Sequence, residues 1–228
     1  MKKMLILFCF FSILIFGEDN YKKKIIYSGV SSEKAIALTF DDGPDSTNTV
    51  KVLDILKKND VKATFFLLGQ NINQTTSALV QRIYDEGHVI GNHSYTHGLF
   101  YNKGEDAVSR EITKTQEVIK KVIGKEPALF RPPYGAVSKT MVDYCSSQSI
   151  KVINWNVDTN DWRKTISSDD MVKTITSGAS SNRIVLMHTM RHLSKTPDAL
   201  EVVIPILKNQ GFSIITLDKL LGVEPYKN

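Results

Sequence analysis

Cysteine is scarce in this sequence: Cys9 and Cys145 are the only two in 228 residues. Cys9 falls in an N-terminal segment that reads as removable, so Cys145 would stand alone in the mature chain and no intramolecular disulfide can form. Long blocks of like charge are missing too, and no basic stripe carries interleaved aromatics, which sets nucleic-acid binding aside. No repeat, low-complexity tract or Pro/Gly/Ser-rich break divides the chain, so one domain around one core is the natural organisation. The apolar run from Met4 to Phe16 falls short of the roughly 18–20 residues that a membrane-spanning helix needs.

That run has another reading. Lys2 and Lys3 precede it, and Gly17 and the polar Glu18-Asp19-Asn20 follow it, the layout of a signal peptide over residues 1–19. Export is therefore expected, with the product secreted or associated with a cell wall. Ile15 and Gly17 stand where cleavage wants two small residues, so retention as an uncleaved membrane anchor stays open. Phe8 before Cys9 argues against a lipoprotein. The formal net charge is +5, and it stays +5 without Lys2, Lys3, Glu18 and Asp19, because these cancel. Such a mild basic excess suits an anionic wall surface and many ordinary solvated surfaces equally.

Short apolar runs alternate with helical spacing over the rest of the chain. Residues 35–40, 63–68, 88–92, 128–130, 152–156, 184–187 and 213–216 read as buried strands, and residues 49–58, 76–86, 106–123, 138–148, 168–177 and 198–209 as helices. Gly87, Gly124 and Gly211 fall where helix C-caps are expected. This alternation predicts an α/β fold, a distorted (β/α) barrel of about seven parallel strands in a single domain over residues 20–228. In such folds the site lies beyond the carboxyl ends of the strands. The unusual residues cluster there: Asp41-Asp42, His93, Arg131, the stretch 158–162 and His188 each follow a strand.

The segment Thr39-Phe40-Asp41-Asp42-Gly43-Pro44 sets two carboxylates side by side, which is costly. In a regular strand they would point to opposite faces, so both serve one site only if the chain leaves strand geometry, as Gly43 and Pro44 permit. A loop in which one of them merely caps the next helix is equally compatible. In Asn92-His93-Ser94-Tyr95-Thr96-His97, two imidazoles four residues apart would share one face of a helical turn, a common metal-ligand spacing. A purely structural histidine pair has the same spacing. With Asp42 the pair would leave coordination positions open, as a catalytic metal site requires.

In Phe130-Arg131-Pro132-Pro133-Tyr134-Gly135, a rigid turn follows a strand, and Arg131 there could hold Asp41 bidentately and favour its charged form. Backbone N–H groups of such a turn can face an oxyanion, while an ordinary proline-rich surface loop reads the same way. His188 ends a buried strand and is a candidate general acid if a carboxylate, for which Asp161 is available, raises its pKa. Trp162 offers a face for a sugar ring or simply packs in the core. His88 and His192 receive no role.

Taken together and in order, T-F-D-D-G-P, H-S-Y-T-H, R-P-P-Y-G, D-T-N-D-W and L-M-H resemble the five signature segments of the polysaccharide deacetylases, carbohydrate esterase family 4, over roughly residues 33–221. The resemblance implies that Asp42, His93 and His97 hold a divalent metal, zinc in most members and cobalt, nickel or manganese in others. It implies Asp41 as general base oriented by Arg131, His188 as general acid tuned by Asp161, and the Tyr134 N–H at the oxyanion. Tyr134, Trp162 and Leu186 would line the pocket for the acetyl group and the sugar. One position departs: Thr189 stands where the family often has aspartate. The implied reaction is hydrolysis of the acetamide of an amino-sugar polymer, peptidoglycan by preference, by a monomer. Chitin oligosaccharides, O-acetylated xylan and a non-catalytic glycan-binding role are the alternatives.

Overall fold

The computed structural model describes residues 20–190 and 195–227. The segment 1–19 expected to be a signal peptide and His192 lie outside the described residues. Nine strands form one sheet: β1 (Ile25–Ile26), β2 (Ala35–Asp41), β3 (Thr64–Leu67), β4 (Val89–Asn92), β5 (Leu129–Phe130), β6 (Lys151–Ile153), β7 (Val157–Asp158), β8 (Arg183–His188) and β9 (Ser213–Ile214). Their order is β1-β6-β5-β4-β3-β2-β8-β7, with β9 against the start of β2, and every pairing is parallel. Six longer helices follow the expected spacing: α1 (Asn48–Lys58), α2 (Ser77–Asp85), α3 (Glu105–Ile123), α4 (Lys139–Ser147), α5 (Ser168–Gly178) and α6 (Lys195–Asn209). A short α7 (Leu217–Leu221) was not expected. Among the described residues no helix is long and apolar enough to cross a membrane.

Two strands beyond the expected seven arise at the sheet edges. The two-residue β1 is too short for a pattern, and the run expected at 152–156 is really two strands. β6 ends at Ile153 on one side of the sheet, and β7 begins at Val157 on the other, against β8. Only residues 154–156 join them, a reach of roughly 14 Å at most. The sheet must therefore curl until its margins nearly meet, which makes it a distorted barrel. Asn154 donates its N–H to Ile26 of β1 at 2.7 Å and Asn156 donates to Ile184 of β8 at 3.2 Å, so this link is tied to both margins.

Period-two alternation then sorts residues between two layers. On β2, Ile36, Leu38 and Phe40 join the cluster under the helices, whereas Ala35 and Ala37 face the barrel interior with Phe66, Leu129, Ile153 and Ile184. Thr39 and Asp41 continue that interior row upward. On β8, Val185 and Met187 face outward, and Ile184, Leu186 and His188 face inward by the same alternation. Room for the interior Phe66 comes from Gly91, where a Cβ would lie 2.4 Å from the Phe66 ring. A third cluster gathers Ile112, Phe130, Met141 and Cys145 beneath α3 and α4. The Cys145 thiol is free there, and burial pushes it up to about 12, so it is inert.

Local chemistry sets the helix ends. Ser167 and Asp170 form a reciprocal capping box on α5, and Ser138 accepts from the Met141 N–H on α4. Neither Asp41 nor Asp42 caps α1: Asp45 does so, accepting from the N–H groups of Thr47 and Asn48 at 2.9 and 2.8 Å. His88 is a buried structural residue, accepting the Ala63 N–H at 3.1 Å, and burial lowers it to about 4.

Candidate active site

Asp41 and His188 are the last residues of β2 and β8 and lie side by side in register, both on the inner row. The next residue, Asp42, takes φ of 70°, which breaks the alternation and turns its carboxylate toward the same space as Asp41. Two neighbouring carboxylates thus serve one cavity, as the sequence required. Asn71 secures the turn by donating to the Asp42 carbonyl at 2.8 Å.

His93 follows β4 directly, and its Nδ1 lies 2.7 Å from the Arg131 carbonyl. A carbonyl only accepts, so Nδ1 carries the proton and the lone pair of Nε2 is free for a metal. His97 reaches the same point by a route other than the expected helical turn. Residues 93–97 form a loop with Ser94 and His97 at φ of 70° and 63°. Side chains pin it: Asn92 accepts the Ser94 N–H, Ser94 accepts the His97 N–H, and Glu111 of α3 accepts from the N–H groups of Tyr95 and Thr96 and from the Thr96 hydroxyl. These bonds replace the helical ladder, which is why the helix reading of the spacing fails while the pairing of the imidazoles holds.

The donor atoms of Asp42, His93 and His97 lie within 4.8 Å of one another. Asp42 Oδ1 is 3.4 Å from His93 Nε2 and 3.3 Å from His97 Nε2, yet it is buried without a hydrogen-bond partner. A buried unsatisfied carboxylate oxygen facing two imidazole nitrogens is what a divalent cation would satisfy, and two His and one Asp suit zinc or its neighbours. Burial pushes the Asp42 carboxyl up, but His93, His188 and His97 outweigh it and hold it at about 2. Burial pushes His93 down and the charges of Asp41 and Asp42 raise it overall, whereas for His97 burial prevails and lowers it. A cation would displace the ring protons that these acids favour.

Arg131 is fully buried beyond β5. Its Nη1 donates to Asp41 Oδ1 at 2.7 Å and to Thr39 Oγ1 at 2.8 Å, and its Nη2 donates to the Asn154 carbonyl at 3.4 Å. The expected bidentate pair is therefore a single contact, because the fork is shared among three acceptors. Its guanidinium lies over the Phe66 ring, 4.2 Å from the centroid. Asp41 keeps Oδ2 free of the arginine, 3.7 Å from His93 Nε2.

Across the cavity, His188 Nδ1 is 2.6 Å from Asp161 Oδ1, and the His188 backbone N–H donates to Asp161 Oδ2 at 2.7 Å. Burial lowers the His188 pKa, but the Asp161 hydrogen bond and charge, with help from Asp41 and Asp42, raise it to about 9. Thr189 brings no charge here: it is buried, with its N–H on the Asp41 carbonyl at 3.0 Å, and it ties the ends of β2 and β8 together.

These groups share a cavity of about 490 Å³, which Tyr134, Trp162 and Leu186 also line. Tyr134 adopts φ of 60° in the turn after Arg131, and its ring packs edge-on to His97 with centroids 4.5 Å apart. Tyr134 and Trp162 are exposed by 65% and 50% rather than packed in the core, although the Arg163 guanidinium lies over the Trp162 ring, 4.8 Å from its centroid. Gly135 is required behind them, since a Cβ there would sit 2.7 Å from the Trp155 ring. Every residue given a site role from the sequence thus falls in or against this site. Sequence reasoning missed Trp155, Asp158 and Met190 in the cavity wall, and Thr39, Glu111 and Thr196 behind it. Thr39 and Asp158 were visible inside T-F-D-D-G-P and D-T-N-D-W, whereas the others carry no spacing signal.

Residues 28–153 match the family described as Polysaccharide deacetylase. The chain belongs to the polysaccharide deacetylase family. This deacetylase is 39% identical over 196 residues to a peptidoglycan-N-acetylglucosamine deacetylase of Bacillus cereus, covering 85% of this chain and 70% of that one. It spans 40% of the length of similar peptidoglycan-N-acetylglucosamine deacetylases of Listeria monocytogenes. Its fold matches a crystal structure of a peptidoglycan N-acetylglucosamine deacetylase bound to an N-oxidanyl-benzamide, with TM-score 0.86, 37% identity and coverage of 90% and 95% of the two chains. It also matches a family 4 acetyl xylan esterase from Clostridium thermocellum in complex with cobalt, with TM-score 0.77, 36% identity and coverage of 85% and 94%. The polysaccharide deacetylase is thus a metal-dependent hydrolase.

Proposed function

We propose that this enzyme acts outside the cell, as a monomer, and hydrolyses the acetamide of N-acetyl amino sugars in peptidoglycan with zinc as its ion. The observation that carries the reading is the pair of oppositely equipped dyads on one cavity: Asp41 with Arg131 on one side, His188 with Asp161 on the other. A base and an acid placed apart, beside a three-donor metal cluster, are what hydrolysis of an unactivated amide needs. The names of the similar deacetylases support peptidoglycan as the substrate.

When bound by Asp42, His93 and His97, a divalent ion supplies Lewis acidity, polarising the acetamide carbonyl and making water more acidic. The chain's own residues do the proton work. Asp41 takes a proton from the attacking water at Oδ2, because Oδ1 is held by Arg131. His188 gives a proton from Nε2 to the departing amine, because Nδ1 is held by Asp161. Without that proton the C–N bond would have to expel a poor anionic leaving group. The Tyr134 N–H faces the developing oxyanion, and Trp162 and Leu186 receive the sugar and the acetyl methyl. The products are acetate and a free amino sugar.

The test is acetate release by the purified protein from peptidoglycan and from chitin oligomers, with chelator and with Zn²⁺ restored. Chelator-sensitive release from peptidoglycan is the expected result. Release from chitin oligomers alone would overturn the substrate, and glycan binding that persists without turnover would overturn catalysis. Asp41→Asn should retain binding and lose on the order of 10² to 10⁴ in rate.

A further inference from the structure

Asp161 is fully buried, and its carboxylate accepts hydrogen bonds from more than His188. Oδ1 takes the His188 ring, and Oδ2 takes both the His188 backbone N–H and the hydroxyl of Thr196, the latter at 2.9 Å. Thr196 is itself fully buried, in the first turn of α6, outside every signature segment and 35 residues from Asp161. We propose that Thr196 is a positioning residue for the acid step, holding the Asp161 carboxylate in the plane that keeps His188 Nδ1 protonated and Nε2 aimed into the cavity. The inference rests on the proposed deacetylase reading.

Three observations converge on it. A threonine hydroxyl can rotate, so Thr196 could serve other acceptors, yet its hydrogen bond goes to the one oxygen that also holds the His188 backbone. Hydrogen bonds to an ionised acceptor are the strong ones, and a buried carboxylate without a full set becomes more basic. Loss of the hydroxyl would leave Oδ2 with the His188 backbone N–H alone and loosen the plane in which the carboxylate meets His188 Nδ1. In addition, Lys195 beside Thr196 donates to the carbonyls of Arg163 and Ile166, at 2.5 and 2.6 Å. The loop carrying Asp161 and Trp162 is thus fastened to the start of α6 twice, once by a lysine near the surface and once by Thr196 at the acid dyad itself.

The arrangement has a counterpart on the base side. Thr39 donates to the Val185 carbonyl at 2.6 Å and accepts from Arg131 Nη1, and so it fixes the partner of Asp41 just as Thr196 fixes the partner of His188. Each proton-transfer group is backed by a charged partner, and each partner by a buried threonine.

The experiment compares Thr196→Val, which keeps the shape and removes the hydroxyl, with Thr196→Ser, which restores it. In the zinc-loaded full chain, Thr196→Val should lower kcat roughly tenfold, the value of one hydrogen bond to a charged group, with KM and zinc content unchanged. Thr196→Ser should recover most of that loss. The His188 Nδ1–H proton resonance in NMR should shift in Thr196→Val and return in Thr196→Ser, whatever the turnover. A kcat within twofold of wild type together with an unmoved resonance would overturn the proposal, as would failure of the folded serine variant to restore either. A wild type without turnover on any acetylated glycan would overturn the deacetylase reading instead, and the resonance would still decide the role of Thr196.

Discussion

At the scale of single residues, the site is organised by which atom of each group is already occupied. Arg131 occupies Asp41 Oδ1, Asp161 occupies His188 Nδ1, and the Arg131 carbonyl occupies His93 Nδ1, so the remaining atoms are the ones left to act. Arg131 and Asp41 are both buried, so removing either partner would strand a buried charge, which is costly. The His188 pair carries a pH signature. Its folded pKa of about 9 lies above its ordinary 6.5, so the pair contributes stability that is fully present below pH 6.5 and is lost as the pH rises through 9. In chelated protein the melting temperature should therefore fall between pH 7 and 9, and His188→Gln should flatten that stretch of the curve. A wild-type curve already flat there would show that Asp161 does not hold the proton on the ring. A cation held by Asp42, His93 and His97 would repel that proton and lower the His188 pKa.

At the scale of elements, strand ends deliver some of the candidate site residues and loops deliver the rest. Asp41 and His188 need only the alternation of β2 and β8, a regularity that any sequence reader can apply. His97 needs a loop with two left-handed residues, held by Glu111 from a helix that begins several residues after it. Glu111→Ala removes three hydrogen bonds from the backbone and hydroxyl of residues 95 and 96 and should weaken zinc binding roughly tenfold, with the melting temperature of the chelated protein little changed. Competition titration against a zinc indicator measures this directly. An unaltered affinity would mean that Asn92 and Ser94 suffice to hold the loop. The expectation of a helical turn at 93–97 erred because periodicity detects ladders of backbone bonds and is blind to side chains that substitute for them.

At the scale of the whole molecule, the curl of the sheet brings signature segments that are far apart in sequence to one rim. The link at residues 154–156 closes the two margins, and with them Trp155 and the Asp161 loop come over the rim beside Tyr134 and His97. A metal bound at that rim joins β2 to the loop after β4, and it binds the folded chain alone. Zinc at about a thousand times its dissociation constant should thus add about 4 kcal/mol of stability, a rise of roughly 10 °C in melting temperature for a domain of this size. Asp42→Ala should abolish the rise while leaving the protein folded. A rise that survives this substitution would place the ion elsewhere.

The class of fold, the strand ends that carry chemistry and the candidates for metal ligand, base and acid were all legible in the residues alone. The fold class and the strand ends follow from local rules, alternation in strands and spacing in helices, whereas the roles of base, acid and metal ligands came with the resemblance of five segments to a family. It took the folded chain to show that the strand expected at 152–156 is two strands on opposite margins, that Asp45 and neither Asp41 nor Asp42 accepts from the start of α1, and that Arg131 divides its fork among three acceptors. It alone brought Glu111 and Thr196 behind the site. Contacts of that kind join residues with no periodic relation, and closure of the barrel, which depends on all the strands at once, is what creates them.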